Sequence, residues 1–299
     1  MSGERHARMM LSMIAEPDDP ATGRILHRVG GVETIRLLED DQAAVPDMNR
    51  ADAIAWRNRV APRIEDGIPA RVADAERRGV SILIPTDTDW PQALNDLGSR
   101  APYLLWTRGA TSFLAGGLAD RVTITGARAA SEYGIQVTGE VAGGLAREEY
   151  TIVSGVAYGI DAAAHRAALA VGGGTFAVLA NGVDRPFPSG HAEMLDRIGD
   201  VVLLASEMPP GSSPTRYRFT ARARLLVALS GATVISEAGF RSGSLLVATK
   251  AHRHSRAVGA VPGPVTSAAS AGPRGLIRRG RAGIITDTAD VTALLDSLR

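Results

Sequence analysis

Residues 121–154, RVTITGARAASEYGIQVTGEVAGGLAREEYTIVS, decide the fold class of this chain. Apolar and β-branched residues at 122–125 and 151–153 predict two short buried strands, and the residues at 131–147 between them predict a helix. A strand, a helix of this length and a second strand form a βαβ unit, in which the two strands lie parallel and the helix covers one face.

The same alternation continues through the rest of the chain. Further strands are predicted at 175–179, 201–205, 233–236, 257–261 and 284–285, and helices at 160–171, 192–198, 222–229 and 244–252. The strands are apolar at nearly every residue, as expected when helices cover both faces of a sheet. We therefore predict an α/β fold over 79–299, an extended Rossmann-like, doubly wound and mostly parallel sheet.

Residues 1–78 predict a small N-terminal helical domain. Apolar residues recur at helical spacing between 25 and 38, and Gly30-Gly31 interrupts them, which predicts two short helices joined by a tight turn. Such a pair is either a SAM- or helix-hairpin-helix-like DNA module or a plain packing unit. The features expected before residue 121 are strands at 80–84 and 103–106, a short helix opened by Trp90-Pro91, and a Gly/Ala-rich linker at 109–119.

Candidate anion-binding residues follow the first two strands of the parallel part. In doubly wound folds, ligands bind beyond the carboxyl ends of the strands, where loops meet helix N-termini. Gly126-Ala127-Arg128 follows one strand and supplies a cation, and Ser154-Gly155 follows the next. The Ser-Gly turn either cradles a phosphate or is only a tight turn. The G-x-G-x-x-G pattern is missing at Gly126, which argues against NAD, and no cofactor is expected.

Asp161 and His165 are four residues apart and therefore share a face of the predicted helix. They could form an acid–base pair or ligate a metal, but no third ligand lies at a recognisable spacing, so no metal is expected. The favoured interpretation is that Asp161 lies at the positive end of the helix dipole and accepts a hydrogen bond from His165.

The stretch 216–224, RYRFTARAR, interleaves aromatic and basic residues. Its arginines are Arg216, Arg218, Arg222 and Arg224. Guanidinium groups neutralise phosphates, and an aromatic ring gives an unpaired base a surface to stack on. Phe219 is then either such a surface or a core residue of the following helix.

A third turn with anion-binding character follows the strand predicted at 233–236. The run Ser242-Gly243-Ser244 opens a helix and is preceded by Arg241. Glu237 begins the same turn and could act as a catalytic base or brace Arg222 or Arg241.

The distribution of charge along the chain is uneven. The 299 residues include 33 basic and 32 acidic side chains, a net charge of +1. Residues 207–282 nevertheless hold eleven arginines and Lys250 against Glu207 and Glu237, which gives this segment +10 and the remainder −9. The split indicates either a local anionic partner or a basic face that keeps the protein in solution.

Composition excludes several classes of protein. The chain has no cysteine, so disulfides, thiolate metal sites and cysteine nucleophiles are ruled out. Its 45% hydrophobic and 22% charged residues are typical of a globular protein. The apolar run at 9–15 is too short to span a membrane and lacks a signal-peptide cleavage pattern, so a cytoplasmic protein without a membrane partner is expected.

Several motifs in order resemble the bacterial DNA-processing protein A family, also called the Smf family. They are Ser154-Gly155, Gly159-Ile160-Asp161, Ala164-His165, the run 174–179, Ser206-Glu207, Pro210-Gly211, 236–239, Ser242-Gly243-Ser244 and Val261-Pro262-Gly263. The resemblance covers about 90–282 and implies an extended Rossmann fold that binds single-stranded DNA without sequence preference. It further implies protection of single strands during natural transformation, loading of a RecA-type recombinase, a homodimer with two basic pockets, and no enzymatic activity.

The resemblance places specific residues in the pocket and in the dimer. It assigns Arg128, Phe219, Arg222, Arg224 and Ser242-Gly243-Ser244 to the pocket, and dimer contacts to Leu276 and Ile277. The full set expected to contact DNA is Arg128, Ser154, Gly155, Arg216, Arg218, Phe219, Arg222, Arg224, Arg241, Ser242, Gly243, Ser244, Lys250 and Arg274.

The chain also departs from the family pattern. Ala223 stands where the family has asparagine, Gly272-Pro273-Arg274 replaces a glycine-cysteine motif, and no C-terminal winged-helix domain is expected after the last strand. Two other functions stay open. One is a nucleotide sensor or phosphoribohydrolase-like enzyme with Glu237 as the catalytic carboxylate, and the other is a scaffold that binds only proteins.

Overall fold

A single mixed sheet forms the centre of the protein in the computed structural model, which describes residues 3–64 and 67–296. Its strands there are β1 (Ser81–Leu83), β2 (Leu105–Gly109), β3 (Arg121–Thr125), β4 (Thr151–Ser154), β5 (Thr175–Leu179), β6 (Leu203–Ser206), β7 (Ala232–Ile235), β8 (Ala257–Ala260) and β9 (Gly283–Ile284). Their order across the sheet is β1-β2-β6-β5-β4-β3-β7-β8-β9. Only β1 with β2 and β2 with β6 pair antiparallel, so the predicted mostly parallel sheet is confirmed.

Helices precede the sheet and connect its strands. In the described part they are α1 (Gly3–Ile14), α2 (Pro20–Glu39), α3 (Arg50–Val60), α4 (Ile68–Arg77), α5 (Glu132–Arg147), α6 (Ile160–Ala170), α7 (Ala192–Val201), α8 (Arg216–Ala228), α9 (Ser244–Arg253), α10 (Ala271–Arg278) and α11 (Thr288–Asp296). A 3-10 helix at Gln92–Arg100 takes the place expected for the short helix after Trp90-Pro91. Among the described residues, no helix has both the length and the apolar character needed to cross a membrane.

Alternate residues of each central strand enter different cores, which is why helices cover both faces. Ile152 packs with residues of α5, α6 and α11, whereas Val153 packs with residues of α8, α9 and α10. The same alternation separates Val234 from Ile235 on β7. The near-continuous apolar character of the strands follows from this double burial.

The structure differs from the predicted helices at α8, α10 and α11. Helix α8 begins six residues before 222, because the Thr215 hydroxyl caps it by accepting a hydrogen bond from the Arg218 amide at 3.2 Å. Helices α10 and α11 were not predicted. The sequence of α10, AGPRGLIR, contains glycine and proline residues of low helix propensity, so packing of its buried face stabilises it.

The segments before β3 also differ from expectation. Strand β2 extends to Gly109 rather than ending at 106, because Thr107 and Arg108 pair with Ala205 and Leu204 of β6. The stretch 109–119 does connect β2 to β3, but Leu114 within it is fully buried in the core beneath α8.

The helices α1–α3 form their own core, and α2 is interrupted where the sequence predicted. Gly30 has φ of 80°, which breaks the helix at the Gly30-Gly31 pair. The amide of Gly31 donates to the Glu4 carboxylate at 2.8 Å, so this turn already has an internal anion. That contact favours a packing role for the turn over phosphate binding. The boundary predicted at residue 78 stays a prediction, since Tyr103 packs into the same helical core.

The predicted hydrogen bond between Asp161 and His165 is wrong. Asp161 accepts from the Thr125 hydroxyl at 2.7 Å and from the Ala157 amide at 3.2 Å. The Nδ1 of His165 lies 2.7 Å from the Thr175 hydroxyl, which donates its own proton to the Ile152 carbonyl. His165 therefore carries its proton on Nδ1 and leaves Nε2 buried without a partner among the described residues.

We predict that His165 makes stability depend on pH. Burial lowers its pKa from 6.5 to about 3, so below pH 6.5 the unfolded chain binds a proton that the folded chain does not. His165 therefore leaves the free energy of unfolding unchanged above pH 6.5 and by itself lowers it by about 1.4 kcal/mol per pH unit between pH 6.5 and about 3. Chemical denaturation at pH 7.0 and 5.5 should show a smaller difference for His165→Gln than for wild type. The control is His252→Gln at an exposed position, which should keep the wild-type pH dependence. If His165→Gln loses as much stability between pH 7.0 and 5.5 as wild type does, the assignment is contradicted.

Candidate nucleic-acid interface

A cleft of about 1140 Å³ opens at the carboxyl ends of β3 and β7. Six segments line it: the turn after β3, residues 157 and 161 after β4, Phe187 beyond β5, the first two turns of α8 with the residues before them, the loop leading into α9 with its first turn, and residues 268–269. We call this cleft the pocket. It lies where parallel α/β sheets bind their ligands.

Close backbone contacts hold the floor of the pocket. The Ala127 amide donates to the Glu237 carbonyl at 2.6 Å, and the Ile160 amide donates to the Ala127 carbonyl at 3.1 Å. A Cβ on Gly126 would lie 2.5 Å from the Glu237 carbonyl oxygen, so only glycine allows this approach. The turns after β3, β4 and β7 are thereby fixed to one another.

Phe219 lies close to two guanidinium groups. The Cζ atoms of Arg128 and Arg222 lie 5.2 and 5.4 Å from the centre of its ring, within the range of cation–π contacts. The Phe187 ring lies 6.1 Å from the Phe219 ring at a tilt of 52°. Phe219 is half-buried and Phe187 is 42% exposed, so both rings keep surface that faces the pocket.

The side chain of Arg222 is largely buried and lines the pocket from below. Its Nη1 donates to the Gly155 carbonyl at 2.7 Å and to the Val178 carbonyl at 3.2 Å. Burial lowers its pKa, and its Nε has no hydrogen-bond partner among the described residues. A Cβ on Gly155 would lie 2.2 Å from Nη1, so Gly155 is needed to seat Arg222. The predicted contribution of Gly155 is therefore indirect.

The cations at the pocket surface lack internal counter-charges. Arg128 and Arg216 are exposed, and within residues 3–64 and 67–296 neither side chain makes a hydrogen bond or ion pair. Ser242 and Ser244 line the pocket as well, with their hydroxyls 2.8 Å apart. Gly243 precedes the first turn of α9, so the positive end of that helix faces the pocket.

The two acidic residues near the pocket are buried. Glu237 is 1% exposed and accepts from the Ser131 amide at 2.8 Å and the Ser131 hydroxyl at 2.7 Å. Glu237 therefore holds Ser131, the N-cap residue of α5, and the expectation that it braces Arg222 or Arg241 is wrong. Burial raises the pKa of Asp161, while Arg222 opposes the shift. Neither carboxylate offers free negative charge to a ligand.

Two arginines of α8 point away from the pocket, against the prediction. Arg224 is 1% exposed, and its Nη1 and Nη2 donate to Glu207 at 2.6 and 2.5 Å. Its Nε lies 3.4 Å from Asp18 and donates to the Arg100 carbonyl at 2.7 Å. Arg218 donates to both oxygens of Glu16, at 2.9 and 2.8 Å. Sequence could not reveal these contacts, because Glu16 and Asp18 lie about 200 residues earlier.

Glu16 and Asp18 belong to the acidic turn, residues 16–19 between α1 and α2. Besides its contacts with Arg218 and Arg224, the turn accepts from the Tyr217 hydroxyl at the Pro17 carbonyl, 2.9 Å away. Asp18 also binds Arg100 and has φ of 61°, an uncommon backbone conformation for aspartate. The acidic turn thus fixes the outer side of α8 to the N-terminal helices.

The remaining predicted residues fall outside the pocket. Ser154 is fully buried and donates to the Ile124 carbonyl at 2.6 Å, so its side chain does not face a ligand. Arg274 donates to the carbonyls of Pro264 and Ser267. Arg241 is exposed at the rim, between pocket-lining Gly239 and Ser242. Lys250 lies further along α9.

The charge count of residues 207–282 suggested one basic surface at the carboxyl ends of the strands. The structure does not place the cations of this segment together there. Arg256 directly precedes β8 and Arg281 precedes β9, which places both at the opposite, amino end of these parallel strands. The +10 charge is thus divided between the pocket, the buried contacts of α8 and the far ends of α9 and α10.

The predicted dimer contacts also need revision. Leu276 is 8% exposed and packs into the core shared by α8 and α9. Ile277 is half-buried and remains the accessible member of the pair. Dimer contact through Ile277 stays a prediction.

Two aromatic residues were missed in the sequence. Phe187 lines the pocket from the loop beyond β5, and the RPFP run at 185–188 after a predicted strand was the available signal. Phe240 lies between pocket-lining Gly239 and Ser242 and is 68% exposed. Both follow strands at their carboxyl ends, where the fold places its ligands.

The fold and the pocket define a Rossmann-like protein with an aromatic, positively charged cleft at the carboxyl ends of its strands. The chain belongs to the family of DNA recombination-mediator protein A, whose model matches residues 81–296. The resemblance noted in the sequence is therefore confirmed, and the protein is a member of a DNA-processing family.

Curated and solved relatives agree with this membership. A putative DNA processing protein DprA of Mycobacterium tuberculosis is 39% identical, covering 94% of this chain and 72% of its own length. The DNA processing protein DprA of Streptococcus pneumoniae is 38% identical over 69% of this chain and 71% of its own. Its X-ray structure superposes with a TM-score of 0.76, 29% identity and 98% coverage of both chains.

A third relative is DNA processing protein A of Helicobacter pylori, whose structure describes a unique single-stranded DNA binding mode. It superposes with a TM-score of 0.63 and 28% identity, covering 73% of this chain and 95% of its own.

We predict that Arg224 stabilises the fold. Arg224→Met leaves the Glu207 carboxylate buried without its partner, which should lower the free energy of unfolding by about 3–5 kcal/mol. Chemical denaturation measures this loss. The double variant Arg224→Met/Glu207→Met removes both charges and should recover a large part of it. A single variant as stable as wild type would show that the pair does not hold α8.

Proposed function

We propose that this protein binds single-stranded DNA in the pocket without sequence preference, and that it presents the strand to a RecA-type recombinase. The observation that carries the proposal is Phe219, an accessible ring beside the guanidinium groups of Arg128 and Arg222. Every base has a face that can stack on such a ring, and every nucleotide has a phosphate for the neighbouring cations. The aromatic ring and the cations therefore bind a single strand of any base sequence.

The shape of the pocket favours a single strand over a duplex. A ring recessed in a cleft accepts an unpaired base, whereas the bases of a duplex are already stacked on their neighbours. Phe187 provides a second ring beside Phe219, so two adjacent bases can be held. The Helicobacter pylori relative, described as binding single-stranded DNA, supports this ligand.

Cations at three places surround the rings. Arg128 follows β3, Arg216 begins α8 and Arg222 rises from the pocket floor. The N-terminus of α9 adds backbone dipole at Ser242-Gly243-Ser244. We propose that these groups neutralise the phosphates on either side of the stacked bases.

The proposed action is binding rather than catalysis. Glu237, the candidate for a phosphoribohydrolase-like carboxylate, is bound to Ser131 and buried. A general base must reach the proton that it removes, and this carboxylate does not line the pocket. Incubation with nucleoside monophosphates should therefore release no free base. Release that is abolished by Glu237→Gln would contradict the proposal.

The proposed transfer of DNA to a recombinase rests on family membership and on the part of the DNA strand that stays accessible outside the pocket. Handing over requires that the protein hold a few nucleotides and leave the rest accessible. The recombinase's ATP hydrolysis on single strands covered by a general single-strand binding protein should rise when this protein is added. Phe219→Ala should abolish that rise, and an undiminished rise would contradict a role for the pocket.

We predict that Phe219→Ala weakens binding of oligo-dT by about tenfold, because stacking contributes about 1–3 kcal/mol per base. Phe219→Trp keeps an aromatic face and should retain most of the affinity. Fluorescence anisotropy measures both. Equal affinities for the alanine and tryptophan variants would contradict the stacking role.

We predict that Arg128→Ala reduces the salt dependence of binding. Each neutralised phosphate of a single strand contributes about 0.7 to the slope of log affinity against log salt, so the slope should fall by about 0.7. The matched control is Arg147→Ala, which removes an exposed arginine at the end of α5. The proposal fails if the two variants show the same slope.

A further inference from the structure

A second group of cations lies outside the pocket, beside the last turn of α9. It comprises Arg100, Lys250, Arg253 and Arg256, which we call the α9 patch, and the imidazole of His254 lies among them. Arg100 ends the 3-10 helix at Gln92–Arg100, and Arg256 directly precedes β8. The patch therefore joins two segments that are distant in sequence, the end of the 3-10 helix and residues 250–256.

The members of the patch lie close enough to affect one another. Burial lowers the pKa of Lys250. The charges of Arg100, Arg224 and Arg253 lower it further, and the charge of Asp18 opposes them. Burial likewise lowers the pKa of His254, with further effects from Arg256 and Lys250.

Internal carboxylates neutralise the patch only in part. Asp18 of the acidic turn binds Arg100, and Asp96 binds Arg256 at 2.7 Å. The side chains of Lys250 and Arg253 have no hydrogen bond or ion pair with any described residue. A group of like charges costs stability unless an anion joins it, so the patch has the character of an anion site.

The patch continues the pocket along one face of α9. Leu246 and Val247 line the pocket, and Lys250 follows them by four and three residues. Arg253 lies one further turn along. At a rise of about 1.5 Å per residue, Lys250 and Arg253 lie about 6 and 10 Å beyond Leu246 along the helix. A strand that leaves the pocket over Leu246 thus meets these two cations next.

An exposed ring accompanies the cations. Tyr217 is 47% exposed, its hydroxyl is held by the Pro17 carbonyl, and its neighbour in sequence, Arg216, lines the pocket. It is near enough to Arg100 to affect the pKa of that arginine. An exposed ring beside cations is the same combination that the pocket offers, which favours a nucleic acid over an acidic protein surface.

We propose that the α9 patch binds the phosphodiester backbone of the single strand where it leaves the pocket, so that each chain holds more nucleotides than the pocket alone contacts. This inference rests on the proposed function. Lys250 and Arg253 contact phosphates, and Tyr217 offers a face to one further base.

The test compares a short with a long strand. The double variant Lys250→Ala/Arg253→Ala should bind oligo-dT of about 20 nucleotides about tenfold more weakly near physiological salt, because two phosphate contacts are lost. Its affinity for oligo-dT of about 6 nucleotides, which fills the pocket alone, should change less than twofold. The control variant Arg147→Ala/Arg166→Ala removes two exposed arginines of α5 and α6 on the other side of the sheet.

The possible outcomes separate the two proposals. Equal losses for both strands would place Lys250 and Arg253 within the pocket's own binding and overturn a separate patch. No loss for either strand, or the same loss in the control variant, would also overturn it. A wild-type chain that binds neither strand would contradict the proposed function itself and the patch with it.

Discussion

The buried guanidinium of Arg224 fixes α8, and the rest of the binding face depends on that helix. Arg224 is held by Glu207 at the end of β6 and by Asp18 of the acidic turn, so it ties the sheet and the N-terminal helices to one side of α8. With that side fixed, the opposite side must face the pocket. Because Arg224 is bound on one side of α8, Phe219 and Arg222 on the other side are exposed to a ligand in the pocket. Burying the charge of Arg224 costs free energy. The ion pairs that compensate this cost also fix a single orientation of α8.

The four arginines of the stretch 216–224 divide into two pairs according to the groups that they contact. Arg218 and Arg224 face the acidic turn, where carboxylates neutralise them, and Arg216 and Arg222 face the pocket. The negative charges of the N-terminal helices thus hold α8 in place without reaching the pocket. The α9 patch lies where the two arrangements meet, since Arg100 contacts Asp18 while Lys250 continues the pocket-facing side of α9.

The sheet was predictable from sequence because its strands are buried on both faces and therefore apolar throughout. The turns after β3 and β7 were predictable because glycine and hydroxyl residues follow strands there. Arg224, Ser154 and Leu276 were misassigned, since burial is decided by distant partners that local sequence does not show. The contact between Arg222 and the Gly155 carbonyl joins residues 67 apart, and only the folded chain shows that the glycine seats the arginine. Phe187 was missed because the segment after β5 was taken as a connecting loop and its aromatic residue was not weighed as a ligand contact.

The central claim is that the pocket selects an unpaired strand. Competition measures this most directly: labelled oligo-dT bound to the wild-type chain is displaced by unlabelled single-stranded or duplex DNA of the same length, at two salt concentrations. We predict that the single strand displaces the label at a much lower concentration than the duplex, and that both affinities fall as salt rises. Equal displacement by duplex and single strand at both salt concentrations would contradict it.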